Sequence, residues 1–306
     1  MIVVCGEALI DMVANGDGTR RSTPGGGPFN TARGLGRLGV PTAFLGRLSD
    51  DVLGRQLAAR LVEDGVSLEL ASVGSEPTTI AVAELDSDGL AEYEFLVAGT
   101  AAPNLTRDML PQELGPDVEA IHLGTLGLVL EPMASTLEAL VQRERGRRLI
   151  MLDPNIRLGL IEDAAYRDRL QWLLEQSTLV KASTGDLAWL FPKLDQEAVA
   201  DHLLGRGVRL VLVTQGAAGA YAASDCARTR VPAPRVEVVD TIGAGDAFGA
   251  AVLAWLHDHH AINLELALES PELESMVAFA CEAAAVTCTR AGAEPPWRWE
   301  LASTAR

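Results

Sequence analysis

Lysine is nearly absent from this chain: only Lys181 and Lys193 occur in 306 residues. A mechanism that needs a lysine at a set place has almost nowhere to put it. No Gly-x-x-x-x-Gly-Lys-Ser/Thr loop exists, which excludes an ordinary P-loop nucleotidase. Basic charge is scarce altogether, with Lys+Arg 25 against Asp+Glu 42 and a formal net charge of −17. So acidic a surface repels phosphate backbones, and no nucleic-acid partner is expected. A small anion remains admissible where backbone amides or a divalent cation make a local positive site. No apolar run reaches the ~18 residues of a membrane span. The opening residues turn acidic at Glu7 and lack the basic start of a secretory signal. The expectation is therefore no membrane partner and a cytoplasmic location. Cys5, Cys226, Cys281 and Cys288 form no Cys-x-x-Cys pair and read as reduced, mostly buried thiols rather than a zinc centre.

What is present is ample apolar material: 48% of residues are hydrophobic, enough for a large core. Residues 2–10 read as one continuous buried strand. A glycine-rich loop at 25–30 opens onto a helix over 31–38. Segments 78–85 and 90–97 alternate around Asp86-Ser87-Asp88-Gly89, a hairpin signal. Beyond it, strands at 119–123, 148–153, 178–182 and 208–214 alternate with helices at 132–145, 163–176 and 196–205. That rhythm predicts a mostly parallel sheet with helices on both faces. Apolar helices follow at 241–257 and 274–289. No linker divides the chain, so 1–306 reads as a single α/β domain, with a small β appendage formed by about 12–24 and 75–99.

Chemistry concentrates in Asp240-Thr241-Ile242-Gly243-Ala244-Gly245-Asp246. Small residues let a ligand approach the backbone. The N–H groups of Gly243, Ala244, Gly245 and Asp246 would be unpaired at a helix start and gather an anion. An acid there repels the anion, unless Asp246 takes a proton from a hydroxyl that then attacks phosphorus. The alternative is that Asp246 caps the helix. In Gly25-Gly26-Gly27-Pro28-Phe29-Asn30, the asparagine offers donor and acceptor together, which suits vicinal hydroxyls; equally, Asn30 could be an N-cap. Asp11 either accepts sugar hydroxyls or is a strand-end acid.

Together these segments resemble the ribokinase-like (PfkB) carbohydrate kinases, fructokinases above all. Gly26-Gly27-x-x-Asn30 is similar to that family's N-terminal motif, and 240–246 to its C-terminal one. Gly6-Glu7-Ala8-Leu9-Ile10-Asp11, Asp153-Pro154-Asn155-Ile156-Arg157 and the stretch 287–293 extend the likeness over nearly the whole chain. The resemblance implies a three-layer α/β sandwich whose β appendage closes as a lid over the sugar. It implies Asp246 as catalytic base, with the amides of Gly243, Ala244 and Gly245 holding the transferred phosphoryl group. Asp11, Gly26, Gly27 and Asn30 would hold the sugar, with Arg157 a candidate clamp. ATP would lie against Ser183, Thr214, Gly216, Gly219, Gly243 and Gly245. Asp240, Ile242, Arg290 and Gly292 would coordinate K⁺. The family's Asn-x-x-Glu near Mg²⁺ is replaced here by Ser183 and Asp186; the shorter aspartate leaves room for a water between carboxylate and metal, which Mg²⁺ tolerates. Some relatives dimerise through the lid, and a homodimer is admissible here.

The implied activity is transfer of the γ-phosphoryl of ATP to a primary hydroxyl of a ketose, fructose first. The alternative is 2-keto-3-deoxygluconate, whose carboxylate Arg157 could clamp. A nucleoside kinase would want more than 5% aromatic residues. A non-catalytic sugar-sensing relative would be expected to lose the base or the glycines, and this chain keeps both. Gly34-Leu35-Gly36-Arg37-Leu38-Gly39 fits a dinucleotide pattern, but a helix precedes it where a strand is required, so close helix packing is the better reading. His257, His259 and His260 beside Asp258 read as a solvated helix end. So does the charge run Arg143, Glu144, Arg145, Arg147, Arg148.

Overall fold

The computed structural model of the chain describes residues 1–14, 20–85, 91–157 and 164–301. In chain order the first half contains β1 (Ile2–Cys5), β2 (Leu9–Ala14), β3 (Arg20–Gly25), α1 (Gly27–Arg37), β4 (Thr42–Leu45), β5 (Arg47–Ser49), α2 (Val52–Glu63), β6 (Val66–Ser67), β7 (Ser72–Gly74), β8 (Ile80–Leu85) and β9 (Ala91–Leu96). The second half contains β10 (Ala120–Gly124), α3 (Met133–Glu144), β11 (Leu149–Asp153), α4 (Ala164–Gln176), β12 (Leu179–Ser183), α5 (Thr184–Leu190), α6 (Gln196–Leu204), β13 (Leu210–Thr214), β14 (Ala220–Ser224), β15 (Arg228–Val231), α7 (Ala244–Asp258) and α8 (Ser270–Cys288).

A nine-stranded sheet runs β15-β14-β13-β12-β11-β10-β1-β4-β6. Successive strand residues point to opposite faces. Both faces are covered, which is why β1 and β11 read as unbroken apolar runs. Ile2 and Val4 enter one core with α1, α2, α7 and α8. Val3 and Cys5 enter the other with α3, α4, α5 and α6. The expected three-layer α/β arrangement is thus the one observed.

Two readings need correction. Residues 2–10 are not one strand. The chain breaks at Gly6, whose φ of +141° is open to glycine, and a Cβ there would lie 2.5 Å from Pro28 Cγ. Beyond the break, β2 leaves the main sheet for a separate four-stranded one, ordered β3-β2-β8-β9. The hairpin pair β8 and β9 is antiparallel as expected, as are β2–β3, β13–β14 and β14–β15. Within the expected appendage, 15–19 and the hairpin turn at 86–90 lie outside the described residues.

The charge run at 143–148 is a solvated helix end only in part: Arg145 and Arg147 are exposed, but the other three residues are bound inward. Arg143 and Arg148 both pair with Glu144, which is buried, and bind carbonyls of Pro111, Val118 and Leu114. The run fastens α3 to the loop before β10. The glycine triplet at 34–39 does serve packing: a Cβ on Gly34 would meet Ala250 Cβ of α7 at 2.7 Å. His257 meets Glu119, and His259 stacks on Trp255. Among the described residues, no helix is long and apolar enough to cross a membrane.

Candidate active site

Strand order reverses about β1, whose neighbours β4 and β10 lie on opposite sides. Open parallel sheets hold ligands at such a reversal, beyond the carboxyl ends of the strands. Two adjoining cavities occur there. The smaller, about 370 Å³, has Glu7 after β1, Asp11 of β2, Phe95 of β9 and the start of α7 in its wall. The larger, about 750 Å³, runs along Ser183, Asp186, Thr214, Gly216 and Gly219. Asn155, Lys181, Thr241 and Gly245 line both.

Helix α7 opens with Gly243 as its cap, in the left-handed region at φ 77° with no side-chain cap bond. Asp246 is therefore the third helical residue and does not cap. The amide of Ala244, expected to be free, instead closes on the Thr241 carbonyl at 3.3 Å. Gly243 and Gly245 line the smaller cavity. Asp246 is buried, and its Oδ2 accepts from Asn30 Nδ2 at 2.9 Å. Burial pushes the Asp246 carboxyl above the ordinary carboxylate range; the Asn30 bond and the charges of Lys181 and Arg157 pull it back.

Asn30 is no cap either. Helix α1 begins at Gly27, with Gly26 as cap at φ 106° and a proline in its first turn, where no N–H is lost. Asn30 thereby sits inside the helix, facing the cavity, and its buried Oδ1 has no hydrogen-bond partner among the described residues. Asp11 lies within β2 rather than at its end. Burial raises its carboxyl to about 6, with Arg157 lowering and Asp246 raising it. Arg157 is exposed and lines the smaller cavity.

Ser183 and Asp186 form the capping box of α5. Asp186 Oδ2 accepts from the Ser183 N–H at 2.7 Å and its hydroxyl at 2.6 Å, while Oδ1 accepts from the Ile156 N–H at 2.8 Å. Both oxygens are thus engaged, yet both residues face the larger cavity. Asp240 stitches two loops, accepting from Ile242 N–H at 3.0 Å and Gly292 N–H at 2.8 Å. Of the four residues expected around K⁺, only Ile242 reaches a cavity; Asp240, Arg290 and Gly292 line neither.

Several wall residues escaped sequence reasoning. Glu7 is fully buried and accepts from Gly27 N–H at 3.2 Å and Gly127 N–H at 3.1 Å. Burial raises it to about 8, and four backbone hydrogen bonds oppose that. Thr125 and Asn155 take φ of 51° and 39°, a rare state for the β-branched Thr125 though not for an asparagine, and Asn155 Nδ2 donates to Thr125 Oγ1 at 3.0 Å. A Cβ on Gly27 would lie 2.3 Å from that hydroxyl oxygen. Lys181 pairs with Asp153 at 2.6 Å, both buried. Its signal was available: a charge inside an apolar strand.

A parallel sheet flanked by helices, a second small sheet, and a buried acid at a glycine-rich helix start between two cavities define the ribokinase-like class. The chain belongs to the pfkB family carbohydrate kinases, whose profile matches residues 1–300. It is 43% identical over 261 residues to a fructokinase of Rhizobium leguminosarum bv. trifolii, covering 84% of this chain and 79% of that one. It is 34% identical over 306 residues to a fructokinase of Klebsiella pneumoniae, covering 98% and 97%. A solved fructokinase of Xylella fastidiosa with bound ATP superposes with a TM-score of 0.89 at 26% identity, covering 98% and 97%.

Proposed function

We propose that this sugar kinase transfers the γ-phosphoryl of ATP to a primary hydroxyl of a ketose, fructose first. The observation that carries the reading is Asp246: a buried acid facing the smaller cavity from the first turn of α7, one helical position after a glycine that borders both cavities. The sugar would occupy the smaller cavity, held by Asp11, Gly26, Gly27 and Asn30, whose unpartnered Oδ1 needs a donor such as a sugar hydroxyl. ATP would occupy the larger cavity along Ser183, Thr214, Gly216 and Gly219. The hydroxyl oxygen bonds to the γ-phosphorus as the bond from that phosphorus to the bridging oxygen breaks. The hydroxyl proton passes to Asp246, and the electron pair leaves with ADP. Positioning and the amides of Gly243 and Gly245 do most of the work. The fructokinase names of the relatives support fructose.

Asp186 fits a Mg²⁺ that arrives on the phosphates and keeps its waters, because its carboxylate is already engaged by Ser183 and Ile156. Bound there, the ion would neutralise phosphate charge. K⁺ would be held by carbonyls of Asp240, Ile242, Arg290 and Gly292, gathered by the Asp240 stitch. The four-stranded sheet would act as the lid, its edge strand β9 offering a pairing surface for a homodimer. A cytoplasmic setting, with its supply of ATP, belongs to the same reading.

Arg157 in the wall favours a second substrate, 2-keto-3-deoxygluconate, through its carboxylate. An ADP-release assay over a sugar panel decides between them. Fructose preference is expected; preference for the sugar acid, abolished by Arg157→Met, would overturn it. Asp246→Asn is expected to lower kcat by about 10²-fold or more while sugar still binds; near-normal turnover would remove Asp246 from the base role.

A further inference from the structure

Lysine is almost never fully buried unless paired, yet Lys181 occupies the middle of β12, in a sheet whose neighbouring strands are apolar. It is 4% exposed. Its ammonium has three N–H donors, and one goes to Asp153 Oδ2 at 2.6 Å. The side chain borders both cavities. A Cβ placed on Gly245 would lie 2.9 Å from Nζ, so the ammonium packs directly against the first turn of α7, one residue from Asp246.

We propose that Lys181 is a further catalytic residue, its ammonium meeting the phosphoryl group as that group crosses from the larger cavity to the smaller. The proposal rests on the kinase reading above. Lys181 and Gly245, with Asn155 and Thr241, line both spaces and so stand where the two cavities meet. In a chain of net charge −17, a fixed cation there offsets the charge that transfer develops. A fold-stabilising role explains the pair poorly, since replacing a buried ion pair by well-packed apolar residues is often neutral or stabilising. Leu179, Val180 and Ala182 show what this strand otherwise carries.

The ammonium also bears on the base. Around Asp246 stand Asn30 of α1, Lys181 of β12, Arg157 after β11, Asp11 of β2 and Asp153 of β11. Around Lys181 stand Asp153, Asp246, Asp186 and His122 of β10. Burial opposes the lysine's charge, but Asp153, Asp246 and Asp186 outweigh it and hold Lys181 above the ordinary lysine range. Burial keeps His122 neutral, pushing it down to about 3. Lys181 in turn favours the ionised form of Asp246.

The test is steady-state ADP release by the full chain, native and Lys181→Met, across pH. The variant is expected to lose about 10²-fold or more in kcat, with the sugar KM within about threefold. The acid limb of its kcat profile should move to higher pH, because Asp246 loses a cation. Lys181→Arg, which keeps the charge, should recover part of both. A purely structural lysine would lower the melting temperature and leave kcat per folded molecule and the acid limb unchanged; that result overturns the proposal. If Lys181→Met does not fold, Asp153→Asn is read instead. It leaves the ammonium without its anchor, and a lower kcat with the acid limb moved to lower pH is expected. An unchanged kcat and limb there also overturns the proposal. A native chain that releases no ADP with any sugar defeats the kinase reading instead, a distinguishable outcome.

Discussion

At the scale of single residues, the active acid is set by contradictory neighbours. Burial raises Asp246, while Asn30, Lys181 and Arg157 favour its ionised form. A base works only when deprotonated. The sign is therefore plain: kcat falls as pH falls through the Asp246 value, and that limb should lie above the ~3.9 of a free aspartate. Asp11, raised to about 6, should add a second loss in kcat/KM below that pH as its acceptor charge goes. Rate profiles between acid and neutral pH, with fructose varied at saturating ATP, check both. A profile flat down to the range of an ordinary carboxylate would contradict the burial argument.

At the scale of elements, glycines decide how closely α1 approaches its neighbours. Gly36 lies inside α1, where alanine is the better helix former by about 1 kcal/mol. Propensity alone therefore has Gly36→Ala stabilise the protein. Its new methyl would lie 2.1 Å from the carbonyl oxygen of Asp64, a backbone atom that cannot swing away. Overpacking costs about 1–3 kcal/mol, so the clash sets the sign and a lower melting temperature is expected. A higher one would mean that the two helices part freely. The same contact explains why a pattern resembling a dinucleotide loop has nothing to do with nucleotide here.

At the scale of the whole molecule, one ion cluster joins distant parts of the chain. Arg33 and Arg37 of α1 both pair with Asp64, which caps the end of α2, at 2.6 and 2.9 Å. Both also reach Glu294 beyond α8, at 3.1 and 2.8 Å. The Asp64 side chain is 2% exposed and that of Glu294 35%. Breaking a buried pair from one side costs about 3–5 kcal/mol, because the partner charge stays in low dielectric. Asp64→Asn should therefore destabilise by about that much in urea unfolding, and Glu294→Gln by clearly less. Equal effects would show that exposure does not weight the cluster.

The elements themselves were legible in the chain. The hairpin strands, the alternation through β13 and the acid after three small residues all follow from local rules: period, turn chemistry and small residues at a helix start. The segment 183–190 and strands β14 and β15 were not legible as elements, being short and without a clear period. Nor was the break at Gly6, because the apolar runs 2–5 and 8–10 on either side of Gly6-Glu7 read together as one strand. Only the tertiary structure decided what Asp246 touches, that Asn30 faces a cavity, and that one of two lysines stands where two cavities meet. The physical reason is range. Helix and strand signals act over a few residues, whereas the fields that tune these groups come from side chains 28 to 216 positions apart, brought together by burial in a low dielectric.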